Sequence, residues 1–478
     1  MTALDRDLAE KAVEAAMKAD AEYAEARLQR NIEQMAALKN GEVETPGYGD
    51  TLGVGVRVIY KGALAFGSTN LLDKSNVAEL ATRLAKQAKA SAPHFKEKVK
   101  MSREDVHLAK WRAEESEPLE DVTLESILSY LRELDAAVTA VGTDLKIANR
   151  VLYLMSEVDE KYYVNSDGSK LDSRVPRLML LGILSGVAGG NVVQRTVQYG
   201  ESGGWEALGR MKILEKLSEE SSMVLKILKD AAKFVPGEMD VLVGHEVAGI
   251  MAHESVGHPG EADRILGREG AQAGESYLSS DDVGLRVGSN EANISDDPTL
   301  PHAFGYYLYD DEGVKSRKRR LIAGGSITEL LQNRETAQTF GVDSNASARA
   351  VRYDREPIIR MANTYVEPGD YTFEELLKEI SRGVYVKNFM EWNIDDKRLN
   401  GRYVGHEAYL IEHGEVKGLV RNPVIEISTP RLWGGVYARG KEMEFGAATC
   451  GKGDPQQGAP VWHGGPKFVV KDVKVGAR

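Results

Sequence analysis

The hydrophobic pattern changes period several times along the 478 residues. Leu4, Leu8, Ala12 and Ala16 recur with charged residues between them, which predicts an amphipathic helix over 4–19. From residue 24 the period drops to two: Ala24, Ala26 and Leu28 alternate with Glu25, Arg27 and Gln29, as in a strand with one polar face. Asn40-Gly41 is a hairpin turn, and 53–60 and 63–67 form a second hairpin about Lys61-Gly62. Ser75 is placed to cap a helix whose stripe is Val77, Leu80, Ala81, Leu84, Ala85 and Ala88. A polar linker over 96–120 has room for one short strand, and Leu124, Ile127, Leu128, Leu131, Leu134 and Val138 mark another helix. Strand patterns follow at 145–157, 162–165, 177–184 and 191–198, turning at Asp167-Gly168. A long helix over 217–234 stops at Val235-Pro236-Gly237.

That stop divides the chain into an N-terminal domain, 1–235, and a C-terminal domain, 236–478. The first reads as α+β, helices on an antiparallel sheet. The second is β-rich, barrel-like or one large mixed sheet, with Gly-Gly and His413-Gly414 turns between strands. Its clearest helix opens on a capping box, Thr372 and Glu375, and is expected to stop at Gly383. Tyr306, Tyr307 and Tyr309 are expected on a strand, packing a sheet.

Chemistry concentrates in GHEVAGIMAHESVGHPGEAD, residues 244–263. Val247, Ile250, Met251 and Glu254 lie on one helical face, and His253 and His258 bracket an HExxxH. Two histidines four apart would share a face; five apart they diverge by roughly 140° on a straight helix, too far for one ion. Either a π-bulge absorbs the extra residue, or the helix ends at Gly257 with φ > 0 and Pro259 blocks its continuation. The second is the preferred expectation. Two neutral imidazoles hold a divalent ion, and the adjacent Glu254 is placed to act as general base. His245-Glu246 reads as a surface cap without a ligand role. Glu261 and Asp263 either orient the imidazoles or cap the next turn.

Composition narrows the classes. Net charge −12 and pI near 5.5 speak against a nucleic-acid binder, and the basic run 315–320 reads as a solvated strand end or loop. No apolar run reaches membrane-spanning length, and the charged start MTALDRDLAEKAVEAAMK has no signal-peptide core, so a cytoplasmic protein is expected. The single cysteine, Cys450, lies in the polar, Gly-rich TCGKGDPQQG near the end of a late strand. A thiolate there is a third zinc ligand, provided the fold closes nearly two hundred residues of separation.

HESVGHPGEAD (253–263), DEGV (311–314), PIIRMANTYVEPGD (357–370), SRGVYV (381–386) and TCGKGDPQQGAPV (449–461) together resemble the TldD/PmbA metallopeptidases, also called modulators of DNA gyrase. The resemblance spans nearly the whole chain and sides with the catalytic, TldD-like member. It implies zinc, or alternatively iron, on His253, His258 and Cys450, with Glu254 as base. It also implies extended peptides or unfolded proteins as substrates, and a dimer, either of identical chains or with a PmbA-like homologue lacking the metal motif. No direct nucleic-acid or membrane contact is expected. Arg360, Asn363 and Lys452 are candidate substrate-binding, oxyanion-stabilising donors. The competing expectation is a metal-stabilised peptide-binding or regulatory subunit with no catalysis of its own.

Overall fold

The computed structural model describes residues 4–142, 144–270 and 274–478, and three large β-sheets carry them. The first has eight strands and comes from the first half of the chain. Its centre is Tyr23–Lys39, antiparallel to both Gly47–Tyr60 and Ile147–Asn165. Lys170–Ala188 and Asn191–Ser202 extend it antiparallel, and Leu108–Arg112 joins as a parallel edge. Two helix pairs cover it. Asp7–Lys18 and Lys74–Ser91 bury Leu8, Ala12, Leu80 and Leu84. Leu124–Ala140 and Ile213–Asp230 bury Leu131, Leu134, Leu217 and Val224. The α+β reading holds, with local corrections. The separate strands expected at 145–157 and 162–165 are one, Ile147–Asn165. Asp73, not Ser75, caps the second helix, its carboxylate accepting from the N–H groups of Ser75 and Asn76 at 3.0 and 2.9 Å. A carboxylate one residue outside the helix reaches those free N–H groups, as an N-cap must.

The polar face of Tyr23–Lys39 is not solvated. Glu25, Arg27 and Gln29 are buried, because the second half of the chain docks on them. Arg57 joins Glu25 at 2.8 Å and Glu312 at 2.7 Å, while Arg27 donates to the carbonyls of Arg352 (3.0 Å) and Arg355 (2.8 Å). Gly55 permits that docking, since a Cβ there would stand 2.2 Å from the carbonyl oxygen of Tyr353.

The second half builds a ten-stranded and a six-stranded sheet, both mixed. Neither closes into a barrel, so the barrel-like alternative gives way to large mixed sheets. In the larger sheet Phe389–Ile394 and Ala232–Lys233 remain at opposite ends. The Thr372–Glu375 capping box is present, yet its helix, Phe373–Lys378, ends before Gly383. Gly383 lies inside the strand Arg382–Val386, where a Cβ would stand 2.5 Å from the carbonyl oxygen of Asp240; it serves close strand approach, not helix termination. The three tyrosines lie on an irregular segment instead of a strand, and Tyr307 donates to the Ala346 carbonyl at 2.8 Å. Among the described residues no helix is long and apolar enough to cross a membrane.

The helix His245–Ala252 lies across the six-stranded sheet, packed on Gln457–Gly465, Asn363–Val366 and Glu444–Lys452. Gly249 sets the approach: a Cβ there would meet the Gly464 nitrogen at 2.5 Å and His463 Nδ1 at 2.6 Å. Backbone cannot yield as a side-chain end can. Gly249→Ala should therefore cost about 1–3 kcal/mol in urea unfolding, as overpacking does. Gly418→Ala, where nothing lies within 4 Å, should leave the unfolding midpoint almost unchanged.

A candidate metal centre

The helix does not stop at Gly257. It widens into a π-turn over His253–Gly257, closed by a bond from the His258 N–H to the His253 carbonyl at 3.0 Å. This overturns the preferred expectation of a helix end. His258 keeps helical dihedrals (φ −61°, ψ −44°). Gly257 serves another purpose. A Cβ there would lie 1.9 Å from Met361 Sδ, so glycine is required for contact, not for a left-handed φ. Ser255 Oγ donates to the Met251 carbonyl at 2.6 Å and accepts from Trp433 Nε1 at 2.9 Å, which ties the widened turn to a fully buried indole. One turn of five residues returns the side chain to its starting face. The two imidazoles accordingly stand 4.8 Å apart between ring centres, at 85° to one another.

Cys450 closes the group. It lies in the strand Glu444–Lys452, buried, with Sγ 3.3 Å from His258 Nε2. Ligand atoms of His253, His258 and Cys450 all fall within 4.8 Å of one another. A tetrahedral ion with bonds of about 2.0–2.3 Å needs ligand atoms about 3.3–3.7 Å apart, close to this spacing. The charge states suit it too. Burial lowers the pKa of both histidines, keeping their lone pairs free. Burial pushes the Cys450 thiol up, but His258 and Arg360 pull it down further, to about 7. His253 Nδ1 has no hydrogen-bond partner despite its burial, as a ligand atom awaiting an ion would.

Glu261 orients the second histidine. Its Oε2 is 3.0 Å from His258 Nδ1, 3.2 Å from the Arg264 guanidinium and 3.3 Å from Lys452 Nζ. Burial alone would raise the Glu261 pKa, yet Lys452 and His258 hold it well below the usual carboxylate range. The carboxylate thus accepts a hydrogen bond from Nδ1–H and leaves Nε2 facing Cys450 as a lone pair. Asp263 does not touch an imidazole; it pairs with Lys452 at 2.7 Å.

The three proposed oxyanion donors are engaged elsewhere. Arg360 donates to the carbonyls of Gln457 (2.7 Å) and Cys450. Asn363 donates to the Asp297 carbonyl and accepts from the N–H groups of Gly305 and Trp462, a splice between loop and strand. Lys452 is spent on Asp263, Glu261 and the Ile359 carbonyl. All three support the site; the cation beside Glu254 is another residue. Arg398, buried in the turn between Phe389–Ile394 and Asn400–Gly405, donates to the Glu254 carboxylate, and its charge lowers the pKa of both histidines. Nothing in DDKRLNG signals that role beyond the arginine itself. His245 is likewise no surface cap. It is buried, Nδ1 meeting the Gly465 carbonyl at 2.7 Å, while Glu246 pairs with Arg195 at 2.6 Å.

A helix carrying two histidines and a glutamate, completed by a cysteine from a distant strand, is a group of side chains that could hold a metal ion. The chain belongs to the PmbA/TldA metallopeptidase family: the family's C-terminal domain matches residues 236–477, its domain 1 residues 24–92 and its central domain residues 117–235. It is 29% identical over 448 residues to the metalloprotease MJ0996 of Methanocaldococcus jannaschii, covering 93% of this chain and 95% of that one. It is 27% identical to a metalloprotease TldD homolog of Haemophilus influenzae, over 95% of this chain and 93% of the relative. A zinc metalloprotease TldD homolog of Saccharolobus solfataricus is 32% identical over 243 residues, 50% of this chain and 52% of the relative. The fold is shared with a modulator of DNA gyrase from Thermotoga maritima (TM-score 0.77, 18% identity, covering 99% of this chain and 100% of that one). TldE from Thermococcus kodakarensis shares it too (TM-score 0.74, 18% identity, covering 98% and 100%).

Glu261→Gln keeps the shape of the Glu261 side chain but removes the charge that fixes His258. Competition titration should show zinc affinity falling about 10- to 100-fold, the range typical of lost outer-shell partners. Unchanged affinity would mean that His258 orients without its carboxylate.

Proposed function

We propose that the chain is a zinc-dependent peptidase that cleaves extended peptides or unfolded proteins, with His253, His258 and Cys450 as ligands and Glu254 as general base. The observation that carries this is the cluster itself. It has three convergent ligand side chains and, among the described residues, no fourth His, Cys, Asp or Glu joins them. A structural zinc is normally closed by four protein ligands, whereas a hydrolytic one keeps a position open. A divalent ion held there supplies a Lewis acid that brings the pKa of water toward about 7. Zinc in particular is supported by the thiolate in the donor set and by the name of the Saccharolobus relative.

The chain's own residues then divide the work. Glu254, next in sequence to His253, takes a proton from the attacking water and passes it to the leaving amine nitrogen. Arg398 holds that carboxylate in place through their buried ion pair, and the same cation would share negative charge developing on the peptide oxygen. His258 is kept in one tautomer by Glu261. The proposed division at residue 235 separates this machinery from the first sheet and rests on where the central and C-terminal family domains meet. A dimer, with an identical chain or with a homologue lacking the metal motif, is part of the same reading, supported by the fold shared with a TldE.

The test compares wild type with Glu254→Gln as full-length chains, by elemental analysis and by cleavage of a reduced, alkylated protein. Equal zinc in both and a cleavage rate about 10²- to 10⁴-fold lower in the variant is the expected result, the usual weight of a general base. Chelation should abolish wild-type cleavage and zinc should restore it. Zinc in both chains and cleavage by neither, even with a TldE-type partner added, would leave a peptide-binding protein.

A further inference from the structure

A second site lies across the strand ribbon from the metal cluster. Alternation along Glu444–Lys452 turns Cys450 toward the histidines and Thr449 to the opposite face, where Thr449 pairs with Pro460. That face borders a cavity of about 330 Å³ between the first sheet and the second half of the chain. A second cavity of about 430 Å³ shares Glu33, Glu157, Arg177, Phe304 and Thr449 with it and continues past Tyr48, which is 69% exposed. The interior space is therefore reachable from solvent.

Three buried guanidinium groups line the inner cavity: Arg177, Arg349 and Arg360. Each is held by main-chain carbonyls. Arg177 donates to Phe304 (2.9 Å) and Tyr306 (3.4 Å), Arg349 to Met361 (2.8 Å) and Pro460 (2.9 Å), and Arg360 to Gln457 (2.7 Å) and Cys450. Among the described residues none of the three forms an ion pair, and Arg360 Nε, in a residue 1% exposed, has no acceptor at all. A carbonyl satisfies an N–H but does not neutralise the charge, and a buried charge normally has a counter-charge.

Among the described residues, four of the carboxylates lining the same cavity form no ion pair with these arginines, and the fifth, Glu33, is exposed. Asp310 accepts from the N–H groups of Glu312, Val314 and Ala348. Asp311 and Asp159 each pair with Lys161 at 3.0 Å. Glu157 accepts from Asn31 at 2.9 Å and makes no ion pair with a guanidinium; burial pushes its pKa up, while the charge of Arg177 pulls it down. Burial and the adjacent charges of Arg177 and Arg360 pull the Arg349 pKa down to about 10, the direction expected of uncompensated cations held together.

We propose that Arg177, Arg349 and Arg360 form a binding site for an oxyanion, the carboxylate or phosphate group of a small ligand whose body lies against Phe304 and Tyr307. Guanidinium forks match both anions, and a desolvated cavity strengthens each charge-assisted bond. The site does not depend on the peptidase reading, because it lies on the other face of the ribbon and uses none of His253, Glu254, His258 and Cys450; Arg360 alone is shared, as the brace of the Cys450 carbonyl.

The experiment uses the full-length Glu254→Gln chain, so that no peptide is consumed. Binding is followed by calorimetry with inorganic phosphate, trialanine and trialanine amide, against chloride at matched ionic strength. Saturable binding of phosphate, of trialanine, or of both is expected. The arm that binds identifies the anion's source, and the amide separates a peptide carboxylate from the peptide body. Adding Arg349→Met should weaken that binding about 10- to 100-fold, the weight of lost buried charge-assisted bonds. Arg177→Met is the second variant should the first not fold, with the same expectation. No saturable binding in any arm, or binding equally tight in both arginine variants, overturns the site.

Discussion

The candidate site depends on one hydrogen bond of unusual span, from the His258 N–H to the carbonyl of His253 five residues earlier. With α-helical spacing the two imidazoles would point roughly 140° apart and could not share an ion. The widened turn brings them to one face, but wide turns are disfavoured and need outside support. Here it comes from three directions. Ser255 returns to the Met251 carbonyl, Trp433 holds that hydroxyl, and Gly257 lets Met361 press against the backbone. The helix beneath is fixed by Gly249 against the strand that carries His463. Substitution of either glycine would shift the turn, and with it the relation between the histidines and Cys450.

A second layer of buried charge makes the cluster chemically ready. Lys452 holds Glu261 ionised, Glu261 holds His258 in one tautomer, and Asp263 shares the Lys452 charge. Lys452 follows Cys450 by two residues on the same strand, so a single hairpin delivers both the cysteine and the cation that stabilises the orienting carboxylate. Arg360 grips the carbonyl of Cys450 from the other side. A side chain that looks from sequence like a transition-state donor is in the folded chain a brace for the ligand strand.

Much of the architecture was legible because it follows from local periodicity. The two helix pairs, the hairpins at Asn40-Gly41 and Lys61-Gly62 and the Thr372–Glu375 cap are all present, although the helix expected over 217–234 runs Ile213–Asp230 and gives way to the strand Ala232–Lys233. The residues of the candidate cluster were legible as types: two histidines around a glutamate, and one cysteine in a polar setting. What stayed hidden depends on contacts distant in sequence. Gly257 and Gly383 looked like helix stops because glycine favours that role, yet both are small for the sake of a neighbour, Met361 in one case and the Asp240 carbonyl in the other. Arg398 reaches Glu254 across 144 residues from a turn whose local pattern says only that it turns. Ser75 lost the capping position to Asp73 because both are good caps and only the backbone decides between them.

The largest departure has a consequence for function. Alternating Glu25, Arg27 and Gln29 has the pattern of a solvated sheet face, and in a free-standing first sheet it would be one. Instead the second half of the chain covers it: Arg27 donates to the carbonyls of Arg352 and Arg355, Gln29 to that of Val351, and Arg57 joins Glu25 to Glu312 across the junction. A polar junction constrains its packing, because each buried charged group must keep its partners. Space remains where the pairing is incomplete, beside Arg177, Arg349 and Arg360. The same charge pattern that disguised the junction as surface therefore leaves an interior cavity with unneutralised cations, one strand ribbon away from the metal cluster.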